Sequence, residues 1–261
     1  MPDDHVSLKC PTDNMIDQAE WDVRVKLAAA YRLVDFYGWT EQIYGHLTAR
    51  VPGSDNHFLI NPWGLNYEEV TASNLLKIDV DGNVIGNDEH PINFAGFIIH
   101  SAIHMTKSEE NHVVMHTHTR AGMAVAAIKE GLLPISMFAT VFHNRIGYHE
   151  YEGASLYPDE RERIVKSLGP HKAMILKNHG LVAVGRTVPE CFLRLYRLER
   201  ACQVQLDAAA AGTLDLVSLA VADRSAADLD SYQGMQPSPP GEIEFAALMR
   251  KLDKIDDRYR F

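Results

Sequence analysis

The chain has 261 residues, 46% of them hydrophobic and 23% charged, enough to bury one sizeable core and too apolar for an intrinsically disordered chain. Its net charge of −10 argues against a nucleic-acid partner, which would select clustered Lys and Arg, and no run approaches the roughly 18 apolar residues that cross a bilayer. The opening MPDDHVSLKCPTDN lacks a charged-then-apolar leader, and Cys10, Cys191 and Cys202 are odd in number without a Cys-x-x-Cys spacing, so the sequence reads as a cytoplasmic protein with reduced, structural thiols and no membrane partner.

Residues 17–37 set Val23, Leu27, Ala30, Tyr31 and Val34 on one stripe and predict an amphipathic helix stopped at Gly38. HLTAR (46–50) and HFLINP (57–62) read as strands around the turn residues PGSDN, and LLKIDVDGNVIG as a hairpin turning at Asp81-Gly82. Pro91 suits the first turn of a helix through INFAGFIIHSAIHM. VVMHTHT (113–119) is strand-like, and side chains alternate along a strand, so His116 and His118 project to one side and Thr117 to the other. Thr119 is expected to cap a helix through AGMAVAAIKEG closed by Gly131, and PDERERIVKSLG to form the next. AMIL and LVAV then read as strands joined by KNHG, followed by a long helix over 188–210. From 213 the character changes: QGMQPSPPG (233–241) is a Pro- and Gly-rich linker, and EIEFAALMRKLDKI a short amphipathic helix packing on the core or on a neighbouring subunit. The expected organisation is a domain over 1–212 and a C-terminal segment over 213–261.

Three histidines stand out, His116 and His118 on one strand face and His179 in a turn before a glycine. Three neutral imidazoles with one coordination position open are the ligand set of a catalytic zinc site. With 13 histidines in the chain, spacing alone equally allows a surface or hydrogen-bonded pair. His100 and His104 lie four apart on one helix face, but no Glu follows the first as in helical zinc motifs. They read as core or hydrogen-bonded histidines, His100 lining a pocket.

Taken in order, YGHLTAR, LINPWG, the DVDGN hairpin, HPINFAGFIIHSAIH, VVMHTHT, YHEYEG and LKNHGLVAVG resemble the class II aldolase/adducin superfamily over about residues 21–211. The resemblance implies a three-layer α/β/α fold with a central, mostly antiparallel (mixed) sheet, in a homotetramer with sites at subunit boundaries. It also implies a divalent metal on His116, His118 and His179, zinc first, with manganese or iron(II) as alternatives.

The departures from the family pattern are as informative. Sugar-phosphate aldolases of this family place a Glu four residues before the helical histidine as the base that removes a proton beside the carbonyl; that position, counted from His100, is Gly96. They also cradle phosphate with Gly-Asn-x-Ser, Ser-Gly and Ser-Ser turns, where this chain has Gly45-His46-Leu47-Thr48, Trp63-Gly64 and Phe94-Ala95. Burying a phosphate without such donors costs several kcal/mol. Trp63 and Phe94 instead suit an apolar wall for a small-molecule substrate, with Gly96 and His100 beside it.

Decarboxylation needs no proton abstraction at carbon, so the pattern implies a metal-dependent carbon–carbon lyase for a non-phosphorylated aromatic or hydroxy/keto acid. The alternatives are an aldolase for a non-phosphorylated carbonyl substrate, an iron(II) oxygenase on the same imidazoles, and a non-catalytic binding module like adducin's head. Proton carriers are sought in FHNRIGYHEYEG, where His149, Glu152 and Tyr148 are the candidates, with Tyr151 as a further donor and Arg145 as a fork for a substrate carboxylate.

Overall fold

The computed structural model describes residues 16–86 and 90–261, without the side chains of Phe94 and Ala95. Asp17 accepts a hydrogen bond from Glu20 N at 2.7 Å and starts α1 (Gln18–Phe36). Then follow β1 (His46–Arg50), β2 (His57–Ile60), β3 (Leu76–Asp79), β4 (Val84–Ile85), α2 (Phe94–His104), β5 (Val113–Thr117), α3 (Arg120–Ala126), α4 (Met137–Thr140) and β6 (Gly147–His149). The chain continues through α5 (Glu160–Leu168), β7 (Ala173–Leu176), β8 (Gly180–Gly185), α6 (Val188–Ala211), α7 (Leu219–Met235) and α8 (Glu242–Asp253).

The strands form one eight-stranded sheet in the order β4-β3-β2-β1-β5-β8-β7-β6, every pair antiparallel except β6 with β7. Alternation along the strands splits the core between two faces. Leu47, Met115, Ile175 and Leu181 join α1 and α6 in one cluster, whereas Val114, Met174, Val182 and Val184 join Ile99 and Ile103 of α2 and Ile164 of α5 in another. The result is the three-layer, mostly antiparallel arrangement that the motifs imply.

Several boundaries differ from expectation. Pro91 precedes α2 rather than opening it: Phe97 N donates to Asn93 O, which makes Asn93 the start, and Pro91 O is taken by Trp63 N at 2.9 Å. α3 ends at Ala126, and Gly131, at φ +70°, closes the following turn instead. α7 was not expected at all. Only its Ala222 and Ala226 are buried, so alanine propensity rather than an apolar stripe makes it helical, and it runs three residues into the stretch read as a linker. Beyond it, α8 packs on α1 and α6 of its own chain, burying Phe245 and Leu252, and Ala72 N donates to Tyr259 O at 2.9 Å. Cys191 and Cys202 are buried free thiols; Cys10 lies outside the described residues. Among the described residues no helix is long and apolar enough to cross a membrane.

Candidate metal centre

The centre forms where β5 ends against β8. Their register sets His116 opposite Val182 and Thr117 opposite Leu181, which brings the turn before Gly180 to the end of β5. That turn is demanding. Asn178 is left-handed at φ 56°, a conformation Asn tolerates better than most side chains, and a Cβ on Gly180 would stand 2.4 Å from Thr117 O and 3.2 Å from His118 Cδ2. An Asn-His-Gly turn meets both demands and carries His179 inward.

His116 Nε2 lies 2.8 Å from His118 Nε2, which lies 2.9 Å from His179 Nε2. Among the described residues these three are the group whose ligand atoms meet within 4.8 Å of one another. His116 Nδ1 is 2.9 Å from Leu181 O; the carbonyl accepts, so Nδ1 carries the proton and the Nε2 lone pair faces the common point. Burial pushes the His116 imidazole well below its ordinary pKa and lowers that of His118 as well. Burial and the field of His118 bring His179 down to about 4. All three are therefore neutral near pH 7, as ligands must be. His116 is sealed, whereas His118 and His179 are half-buried and leave the centre open on one side. Three neutral nitrogens with one open side fit a borderline divalent cation.

The next residue fixes His118 from behind. Thr119 Oγ1 accepts from Gly122 N at 3.0 Å, capping α3, and donates to the buried Glu199 at 2.5 Å. Gln203 holds the other Glu199 oxygen at 2.8 Å.

A second histidine group lies on the same sheet face, under α2. His46 of β1 pairs with His116 across the strands, their rings stacked with centroids 6.4 Å apart. A Cβ on Gly96 would stand 2.2–2.5 Å from the His46 ring, so the imidazole fills the space that any side chain at 96 would take. Asn93 Nδ2 donates to His46 Nε2 at 2.8 Å, which places the ring proton on Nδ1, buried and without a partner. Burial above all pushes His46 down to about 3. Behind it, Thr48 Oγ1 sits 2.7 Å from His100 Nδ1 and 2.8 Å from His104 Nε2, donating to one and accepting from the other.

Of the residues expected at the site, His149 and Glu152 share with His179 a small cavity of about 10 Å³, the size of one water. His149 Nδ1 is 3.0 Å from Ser167 Oγ, and its Nε2 is 3.3 Å from the buried Glu160. Glu152 is exposed and forked onto Arg163 at 2.5–2.9 Å, which pulls its pKa down, away from the neutral range that a proton carrier needs. Tyr148 also departs from expectation. Alternation along β6 turns it to the other face of the sheet, where its hydroxyl accepts from Leu132 N at 3.1 Å.

Arg145 pairs with Asp230 of α7 at 2.5 Å, in a pocket that no triad histidine lines, so it is not brought to the centre. His100 is fully buried behind His46 and lines no open wall; Gly96 is buried with it. Trp63, half-buried, meets Tyr44 edge-on at 5.4 Å, two residues ahead of His46, while the Phe94 side chain lies outside the described residues. Tyr151 is exposed, its ring 6.5 Å from that of His179. His46 was the residue that sequence reasoning passed over. The signal was present as a Gly-His where the resemblance calls for Gly-Asn.

The model of the class II aldolase and adducin N-terminal domain matches residues 25–206. The chain belongs to this family. This class II aldolase/adducin protein is 44% identical to an aldolase II superfamily protein from Pseudomonas syringae, over 94% of this chain and 98% of that one, with a TM-score of 0.87. It is 43% identical over 257 residues to alpha-adducin of Rattus norvegicus, covering 93% of this chain but only 34% of that protein. An L-fuculose 1-phosphate aldolase from Glaciozyma antarctica PI12 is 29% identical over 97% of both chains, with a TM-score of 0.81. Class II aldolases are typically divalent-metal dependent, and the triad supplies the ligands for such an ion.

Proposed function

We propose that the protein is a metal-dependent carbon–carbon lyase that decarboxylates a non-phosphorylated aromatic or hydroxy/keto acid, working with zinc in a cytoplasmic homotetramer. The observation that carries the reading is the His46 imidazole lying over Gly96. It excludes the carboxylate that family aldolases use as a base, and with its pKa near 3 it is too weak to replace that base at neutral pH. Thr48, the one hydroxyl left in the Gly-His-Leu-Thr motif, is bound inward by His100 and His104 and has no proton to offer a phosphate. The phosphate in the name of the Glaciozyma relative therefore does not transfer to this chain.

His116, His118 and His179 would hold the cation, which as a Lewis acid stabilises negative charge on a substrate oxygen next to the departing carboxylate. Carbon dioxide leaves as the carbon–carbon bond breaks, the electron pair stays on the remaining carbon, and a proton replaces the carboxylate. The reading gives delivery of that proton to His149 through the water-sized cavity it shares with His179. Trp63 packs edge-on against Tyr44, which precedes His46 by two residues in the chain, and such an aromatic pair is in keeping with a flat substrate.

A second reading, a binding module without catalysis, draws on the 43% identity to alpha-adducin. Metal content and turnover separate the two. Untagged protein is expected to hold about one zinc per chain and to release carbon dioxide from a hydroxylated aromatic acid or keto acid, with His118→Ala losing both. Metal without carbon dioxide release, but with cleavage of a non-phosphorylated aldol, would move the reading to an aldolase. Dioxygen consumption by iron(II)-loaded protein would move it to an oxygenase, and no metal uptake at all to the binding module.

A further inference from the structure

We infer that an arginine-lined pocket between α6 and α7 binds a small organic dianion, at a site separate from the histidine triad. The pocket has a volume of about 540 Å³, within the range of small-molecule sites, and no triad histidine lines it. Five cationic side chains face it, Arg145, Lys172, Arg186, Arg194 and Arg197, against three carboxylates, Glu110, Glu190 and Asp230. Five minus three leaves an excess of two positive charges in one pocket of a chain whose net charge is −10.

Four of the cations are matched by the pocket's own acids. Arg145 meets Asp230 at 2.5 Å, Lys172 meets Glu110 at 3.0 Å, and Arg186 and Arg194 share Glu190 at 3.0 and 2.7 Å. Arg197 is the exception. It is partly buried and, among the described residues, has no hydrogen-bond or ion-pair partner. Burial disfavours its charged form, the field of Glu244 on α8 opposes that in part, and the charge of Arg194 adds to the cost. A guanidinium does not shed its proton, and no acid lining the pocket pairs with it, so a bound anion would offset the cost that Glu244 leaves.

The planar fork of Arg197 reads a carboxylate or a phosphate through two parallel hydrogen bonds. Val141, Phe142 and Leu229 supply an apolar wall for the body of an organic acid. The excess of two charges sets the dianion. Carboxylate and phosphate share this chemistry, so succinate and glycerol 3-phosphate serve as the probes, and the tighter of the two identifies the source.

The test is calorimetric titration of metal-loaded protein with each probe, on wild type, Arg197→Gln and His118→Ala. Saturable binding of at least one probe, one per chain, is expected, weakened roughly tenfold or more in Arg197→Gln and unchanged in His118→Ala. Without ligand, Arg197→Gln should unfold at the same temperature as wild type or above it, because it removes an unmatched charge; an arginine with a merely structural role would lower it. No saturable binding to wild type below about 10 mM would overturn the inference. So would binding indifferent to Arg197→Gln, or binding lost with His118. A change of oligomer size in Arg197→Gln would also overturn it and make the pocket a contact between subunits.

Discussion

Six histidines on one face of the sheet fall into two groups of opposite character. His46, His100 and His104 are sealed at 4%, 0% and 1% exposure, and His46 and His100 each keep one ring nitrogen buried without a partner. His116, His118 and His179 aim their Nε2 atoms at one another and open to the outside through two of the three rings. Both groups hold neutral imidazoles for the same reason, burial. Neutrality therefore does not make a ligand set. Convergence and access do, whereas in the sealed group the Thr48 hydroxyl and the Asn93 amide take up lone pairs that would otherwise face a cation.

The strongest test of that contrast is a pair of substitutions. His118→Ala should reduce bound zinc from about one per chain to near zero, and His104→Ala should leave it in place while lowering stability by about 2–4 kcal/mol through a cavity and the loss of one hydrogen bond to Thr48. Mass-spectrometric metal analysis reads the first effect and chemical denaturation the second. Metal loss in His104→Ala would erase the distinction between the groups.

Acid should test that shared neutrality next. Unfolded, the sealed imidazoles take up protons near pH 6.5, whereas folded His46 and His104 do so only near 3. Over that window the unfolded state binds more protons, so this stability is fully present above about 6.5 and falls as the pH falls. The slope is up to about 1.4 kcal/mol per histidine per pH unit, about 3 for the pair. Denaturation of metal-free protein at pH 7 and pH 5 measures it, and equal stabilities at the two values would contradict the sealed, neutral state.

Gly96→Ala is expected to cost about 2 kcal/mol or more, because its methyl overlaps the His46 ring, and His46→Ala in the same chain should recover much of that loss. Strict additivity in a double-mutant cycle would show that the two residues do not compete for space. The smallest effect is that of Thr48→Val, about 1–3 kcal/mol for two imidazole nitrogens left unpaired, with metal content unchanged.

The sheet, the triad and the base-less position were legible because each leaves a local trace: alternating apolar residues, histidines at strand spacing beside an Asn-His-Gly turn, and a glycine where the resemblance implies an acid. What was not legible depends on partners distant in sequence. Tyr148 and His149 are both polar and adjacent, and only the packing of β6 on β7 decides which one faces α5. Arg145 could have met a substrate carboxylate, but α7 supplies Asp230, and α7 itself carries no apolar stripe to announce it. Glu152 is held ionised by Arg163, eleven residues on. His46 was hidden because its meaning lies in a space across the sheet, over Gly96.

The overlap between position 96 and the His46 ring also constrains the order in which such a site can change. A chain with an acid at 96 must first lose that side chain before an imidazole can settle at 46, since the reverse order passes through a clash. Going back, the imidazole must leave before the acid returns. Two residues on different elements thus impose an order on any change in sequence, and a single substitution at 96 cannot reopen the route to base-catalysed chemistry.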